Sequence, residues 1–296
     1  MADLKGLHGA GTALVTPFTT DDHIDEAAIK RLVDFQIDGG IDFLVPCGTT
    51  GESATLTIDE HLRVVELVVK QTAGRVPVVG GAGSNDTAYV VTLAKEVAKS
   101  GADVLLSVTP YYNKPSQDGL VEHYKKVAAA VDLPIIVYNV PGRTNCNILP
   151  DTMAKLAEID NIIGVKEASG NIAQVAEIAY KVPEDFLILS GDDPATIPII
   201  SVGGVGVISV LSNQVPGLVS QIVHLCLENK YDKAREIQKK LHKLTALDFI
   251  ETNPVPVKTS LAMMGLMEEK FRLPLIKMKE NNKALLKEEM KNLGLI

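Results

Sequence analysis

Lys166 ends a run of apolar residues, Ile162-Ile163-Gly164-Val165, and is followed by Glu167. A lysine at a strand end often snorkels to solvent, its stem covering apolar surface. Kept dry instead, the amine loses the hydration that favours its charge, and its pKa falls from about 10.4 towards neutrality. A neutral amine is a nucleophile. The chemistry that suits it without a metal or organic cofactor is Schiff-base formation with a carbonyl compound. The protonated imine is an electron sink, so a proton on the neighbouring carbon can leave and the resulting enamine can attack an aldehyde. These steps move protons repeatedly, and a phenol such as Tyr138, at the end of the preceding apolar run, suits the acid/base work. A substrate carboxylate needs oriented donors, which Thr49 and Thr50 of "CGTTGES" supply as hydroxyls and backbone N–H groups.

Other motifs carry a chemical and a plain reading side by side. "CGTTGES" also reads as a turn whose hydroxyls cap the next helix. Tyr111 and Tyr112 in "TPYYNKP" also read as structural aromatics. "VGGVGVISV" suits a phosphate site near the last two strands, or glycines at a tight strand entry.

The elements that must position these residues follow from periodicity. Eight short β-rich runs, "TALVTPF", "DFLVPC", "VPVVGG", "DVLLSVTP", "PIIVYNVP", "IIGVKE", "FLILSG" and "GVGVISV", alternate with longer helical patterns, several of which end in glycine. Eight strands suit a closed α/β (β/α)8 TIM barrel. The competing fold, an open doubly wound sheet, lacks its glycine fingerprint after the first strand. In such barrels the active site lies at the C-terminal ends of the strands. "CGTTGES", "TPYYNKP", "YNVPGRT", Lys166-Glu167, "SGDD" and "ISV" all fall there. The catalytic barrel is expected over 1–229, with a C-terminal helical extension over 230–296.

Composition narrows the class. The 296 residues are 46% hydrophobic and 22% charged, as in a globular protein. With 29 basic and 37 acidic side chains the net charge is −8, and no basic block offers a track for nucleic acid. The first residues lack a signal-like apolar core and no run reaches membrane-spanning length, so a cytoplasmic location and no membrane partner are expected. Cys47, Cys146 and Cys226 form neither a disulfide framework nor a zinc ribbon. The six histidines show no metal-ligand spacing, so no metal and no other cofactor is expected.

Taken together, "GTTGES" at 48–53, "TPYYNKPS" at 109–116, "YNVPGRT" at 138–144, "GVKEASG" at 164–170, "LSGDD" at 189–193, "GVISV" at 206–210 and "NPVPVK" at 253–258 closely resemble the dihydrodipicolinate synthases, within the N-acetylneuraminate lyase superfamily of class I aldolases. The resemblance runs from about Gly9 to the C-terminus. It implies a carbon–oxygen lyase that condenses pyruvate with L-aspartate 4-semialdehyde, on the route to diaminopimelate and lysine. Lys166 would form the pyruvate imine. Tyr138, Thr49 and Tyr112 would relay protons, Tyr112 reaching in from a neighbouring subunit of a homotetramer built as a dimer of dimers. Thr50 would hold the pyruvate carboxylate and Arg143 that of the semialdehyde. Gly191 and Ile208 would line the pyruvate pocket, Ile208 through its carbonyl.

Two sister activities differ at these motifs. Sialic-acid lyases resemble G-S-T-G-E at the second loop and lack the "PGRT" arginine, and sugar-acid aldolases depart from "YNVPGRT"; Thr49 and Arg143 are both present here. A barrel that only binds a keto acid would have lost Lys166 or Tyr138, and a metal-dependent aldolase needs a ligand cluster. Of the positions matching the family's lysine-feedback pocket, Ser53, Ala54, His61, Asn85 and Tyr111 are retained. Tyr89 stands where inhibited relatives usually carry a glutamate, and Ile58 where a ring such as histidine is common, so weak or no inhibition by L-lysine is expected.

Overall fold

The computed structural model describes residues 7–296; the first part of the stretch without a signal-like core, residues 1–6, lies outside them. Among the described residues there are eight strands: β1 (Ala10–Ala13), β2 (Phe43–Val45), β3 (Val79–Gly81), β4 (Val104–Val108), β5 (Ile135–Asn139), β6 (Ile162–Glu167), β7 (Leu187–Ser190) and β8 (Gly206–Ser209). All pair in parallel, in the order β2-β1-β8-β7-β6-β5-β4-β3. The two ends of that order meet: Leu44 N–H donates to the Pro77 carbonyl at 3.0 Å, Gly81 N–H to that of Pro46 at 3.1 Å, and Leu44 bridges Val78. The sheet is a TIM barrel.

The first strand differs from the sequence expectation. The apolar run "TALVTPF" suggests residues 12–18, but β1 ends at Ala13, and Leu14, Val15 and Phe18 are buried in irregular chain. Pro17 lacks the N–H a further rung would need. The strand instead extends back to Ala10 and pairs with β2 and β8.

Helices alternate with the strands: α1 (Glu26–Asp38), α2 (Ile58–Thr72), α3 (Thr87–Lys99), α4 (Gln117–Ala128), the single turn α5 (Pro141–Thr144), α6 (Pro150–Ala157), α7 (Ile172–Lys181), α8 (Thr196–Ser201) and α9 (Pro216–Leu227). Local chemistry starts them well. Thr57 and Glu60 form a reciprocal capping box at α2, and Asp25, Asp86, Ser116 and Asn171 cap α1, α3, α4 and α7 with side-chain oxygens. Beyond the barrel follow α10 (Tyr231–Leu247), α11 (Val255–Met263) and α12 (Glu280–Asn292), the helical extension.

Strand alternation divides the core in two. Phe43, Val45, Val79, Leu106, Ile136 and Leu189 fill the barrel interior, while Leu44, Leu105, Val137, Val165, Ile188 and Val207 pack against the helices. Val165 faces outward, so its neighbour Lys166 faces in. No helix among the described residues is long and apolar enough to cross a membrane.

Candidate active site

Tyr138 and Lys166 sit side by side because β5 and β6 pair with those two residues in register. One position further on, Asn139 donates its Nδ2–H to the Glu167 carboxylate at 2.9 Å, and Ser169 N–H donates to the other carboxylate oxygen at 2.7 Å. This buried bond on the opposite face locks the two strand ends together. Lys166 Nζ consequently lies 4.2 Å from the centroid of the Tyr138 ring.

The lysine is 5% exposed. Burial is the largest influence on its amine and brings the pKa down to about 7; the Asp193 carboxylate opposes that shift and the Arg143 guanidinium adds to it. At neutral pH roughly half of such an amine is uncharged, against less than about 0.1% for a free lysine. Burial raises the pKa of the Tyr138 phenol, while the Arg143 charge and the Thr49 hydroxyl, as a hydrogen-bonding neighbour, lower it. A nucleophilic amine and a phenol that holds its proton therefore stand together, and Arg143 biases both.

The surrounding loops bring up the rest. Thr49 and Thr50 lie in the turn after β2, and Thr50 is buried. Arg143 sits on α5, exposed at the mouth. Gly191 follows β7, where its Cα packs against the lysine: an added Cβ would lie 3.1 Å from both Lys166 Cγ and Cε and 2.8 Å from Ala168 Cβ. Ile208 is fully buried on the inner face of β8.

A model of the dihydrodipicolinate synthetase family matches residues 6–293. The chain belongs to that family. A curated relative from Chloroherpeton thalassium, named 4-hydroxy-tetrahydrodipicolinate synthase, is 49% identical over 99% of this chain and 97% of its own. Among solved structures, a dihydrodipicolinate synthase from Aquifex aeolicus is 46% identical, with a TM-score of 0.95 over 97% of this chain and 98% of its own. Another, described as a monomeric dihydrodipicolinate synthase variant, has the same TM-score at 41% identity and covers 97% of each chain.

In this member of the family, the residues singled out in the sequence separate into two places. Lys166, Tyr138, Thr49, Arg143 and Gly191 are linked by the contacts and electrostatic effects just described. Tyr112 stands apart, 89% exposed and with a φ of 72° that few side-chain-bearing residues adopt. Asp193 was missed as a site residue, although "SGDD" carries it. It is buried, accepts hydrogen bonds from the Ser209 hydroxyl and from the Val210 and Leu211 N–H groups, and acts electrostatically on Lys166. Gly206, the first residue of β8, has a packing role: a Cβ there would lie 2.0 Å from the Gly9 carbonyl oxygen. Among the described residues, no group of three or more His, Cys, Asp and Glu side chains could hold a metal ion.

Proposed function

We propose that this chain is a 4-hydroxy-tetrahydrodipicolinate synthase that condenses pyruvate with L-aspartate 4-semialdehyde through an imine on Lys166. The observation that carries this reading is the buried Lys166 amine, with a pKa of about 7, against the Tyr138 ring. The neutral amine adds to the keto carbon of pyruvate, and water leaves as the imine forms. Loss of a methyl proton gives the enamine, whose terminal carbon attacks the aldehyde of the second substrate; the new alkoxide takes a proton. The amino group of the incoming substrate then attacks the imine carbon, closes the ring and releases Lys166.

Tyr138 serves as the acid/base group, with Thr49 and Tyr112 passing protons to and from it. Thr50 holds the pyruvate carboxylate and Arg143, exposed at the mouth, that of the semialdehyde. Gly191 leaves space beside the lysine stem, and Ile208 lines the pocket. The exposure of Tyr112 supports its use by a neighbouring subunit, in a homotetramer of paired dimers. As a biosynthetic enzyme of this kind the protein works in the cytoplasm, on small molecules. Residues 1–229 act as the catalytic barrel and 230–296 as its helical extension.

Initial rates with pyruvate and L-aspartate 4-semialdehyde test the activity. Turnover that Lys166→Ala abolishes is expected, and cleavage of N-acetylneuraminate in preference to this condensation would reassign the chain to a sister activity. In the same assay L-lysine should inhibit weakly or not at all, because neither Tyr89 nor Ile58 offers a carboxylate to the effector's ammonium; losing such a partner costs on the order of 2–5 kcal/mol. Half-inhibition at sub-millimolar lysine would show that another group replaces it.

A further inference from the structure

The C-terminal extension reaches back to the turn that carries Thr49 and Thr50. Asn253 is buried and donates its Nδ2–H to Thr50 Oγ1 at 3.0 Å. Five residues later, on α11, Lys258 forms an ion pair with Glu52 in which the two side chains are 0% and 1% exposed. The second Glu52 oxygen accepts from Arg272 N–H at 3.4 Å, and Arg272 Nη1 donates to the Thr55 carbonyl at 2.9 Å. The turn is thus held at residues 50, 52 and 55 by residues 253, 258 and 272. Its backbone needs such support, since Cys47 and Glu52 have φ of 56° and 51°, and such conformations persist only where surrounding contacts fix them.

The direction of the first bond has a chemical consequence. A hydroxyl has one proton and two lone pairs. Because Thr50 Oγ1 accepts from Asn253, its own proton is left to be donated, the polarity a carboxylate requires. The Lys258–Glu52 pair fixes the same turn two residues downstream. Lys258 also lies 4.4 Å from the Phe18 ring centroid, which confines it further.

We propose that Asn253 and Lys258 are positioning residues for the keto-acid carboxylate: Asn253 sets the polarity of the Thr50 hydroxyl, and Lys258, through Glu52, holds the turn that presents it. This rests on the reading of Thr50 as the carboxylate's donor.

The test measures the pyruvate concentration that half-saturates borohydride-trapped adduct on Lys166, in the full-length protein. Asn253→Ala should raise it about tenfold, the equivalent of about one hydrogen bond to a charged group. Asn253→Asp, nearly isosteric, can only accept when ionised; it claims the Thr50 proton and should raise the concentration further. Lys258→Met with Glu52→Gln removes both buried charges together, avoiding the penalty of one left unpaired, and should raise it as well. With methyl pyruvate, an uncharged ester, all these variants should match the wild type, which a general loosening of the fold would not produce. Thr50→Ala separates the role of Thr50 from that of the residues that hold it. Should it leave pyruvate half-saturation unchanged, the role of Thr50 itself falls; should it raise the value while both Asn253 variants and the double variant do not, the positioning inference alone is overturned.

Discussion

At the scale of residues, the charges that Lys166 faces set its reactivity. The neutral amine is the nucleophile, so imine formation should weaken as pH falls through about 7, the value to which burial brings its pKa. Two neighbours tune that limb in opposite directions. Asp193 favours the protonated amine, so Asp193→Asn should move the acid limb to lower pH; Arg143 disfavours it, so Arg143→Ala should move the limb to higher pH, by less because Arg143 is exposed to screening solvent. Measuring trapping rate against pH for the three proteins checks this, and shifts in the same direction would contradict it. The strand-end positions of Lys166 and Tyr138 were legible in the sequence, because each stands at the end of an apolar β-rich run. The contacts of Asp193, Asn253 and Lys258 were not, although "SGDD" and "NPVPVK" contain those residues: Asn253 meets Thr50 across 203 residues and Lys258 meets Glu52 across 206, pairings no local pattern records, and "SGDD" does not show that Asp193 acts on Lys166.

At the scale of elements, parallel register does the positioning. The eight strands were readable from alternating β-rich and helical stretches, because each element's period is imposed by the face it buries. The limits of β1 were not, because apolar composition marks Leu14 to Phe18 as buried without saying that Pro17 and the turn towards Ile24 take them out of the sheet. The glycines of "VGGVGVISV" carried two readings in the sequence, and packing accounts for the one that opens β8. A Cβ at Gly206 would meet backbone atoms of Gly9 on the adjoining chain segment, none of which can rotate away. Gly206→Ala should therefore destabilise the barrel by at least about 1–3 kcal/mol, the usual cost of overpacking. Thermal unfolding would show a lowered midpoint; an unchanged one would mean that β1 and β8 separate without cost.

At the scale of the whole molecule, the extension covers the turn bearing Thr50, while a group of aromatic and apolar side chains stays exposed. The helices after the barrel close over the turn bearing Thr50, from within the same chain. Tyr112, by contrast, is exposed on the surface of the chain, as are Ile58, Tyr89 and Tyr111. If Tyr112 serves a neighbour, Tyr112→Phe and Lys166→Ala proteins, each nearly inactive, should regain activity when unfolded and refolded together, because a mixed dimer holds one intact site. Mixed dimers demonstrated by mass but without activity would confine Tyr112 to its own subunit or remove it from the relay.

Reduction with borohydride in the presence of pyruvate, followed by mass spectrometry of the peptide containing position 166, tests the imine directly. A reduced three-carbon adduct on Lys166, absent from Lys166→Ala, is the expected result. An adduct on another lysine, or none, would contradict it.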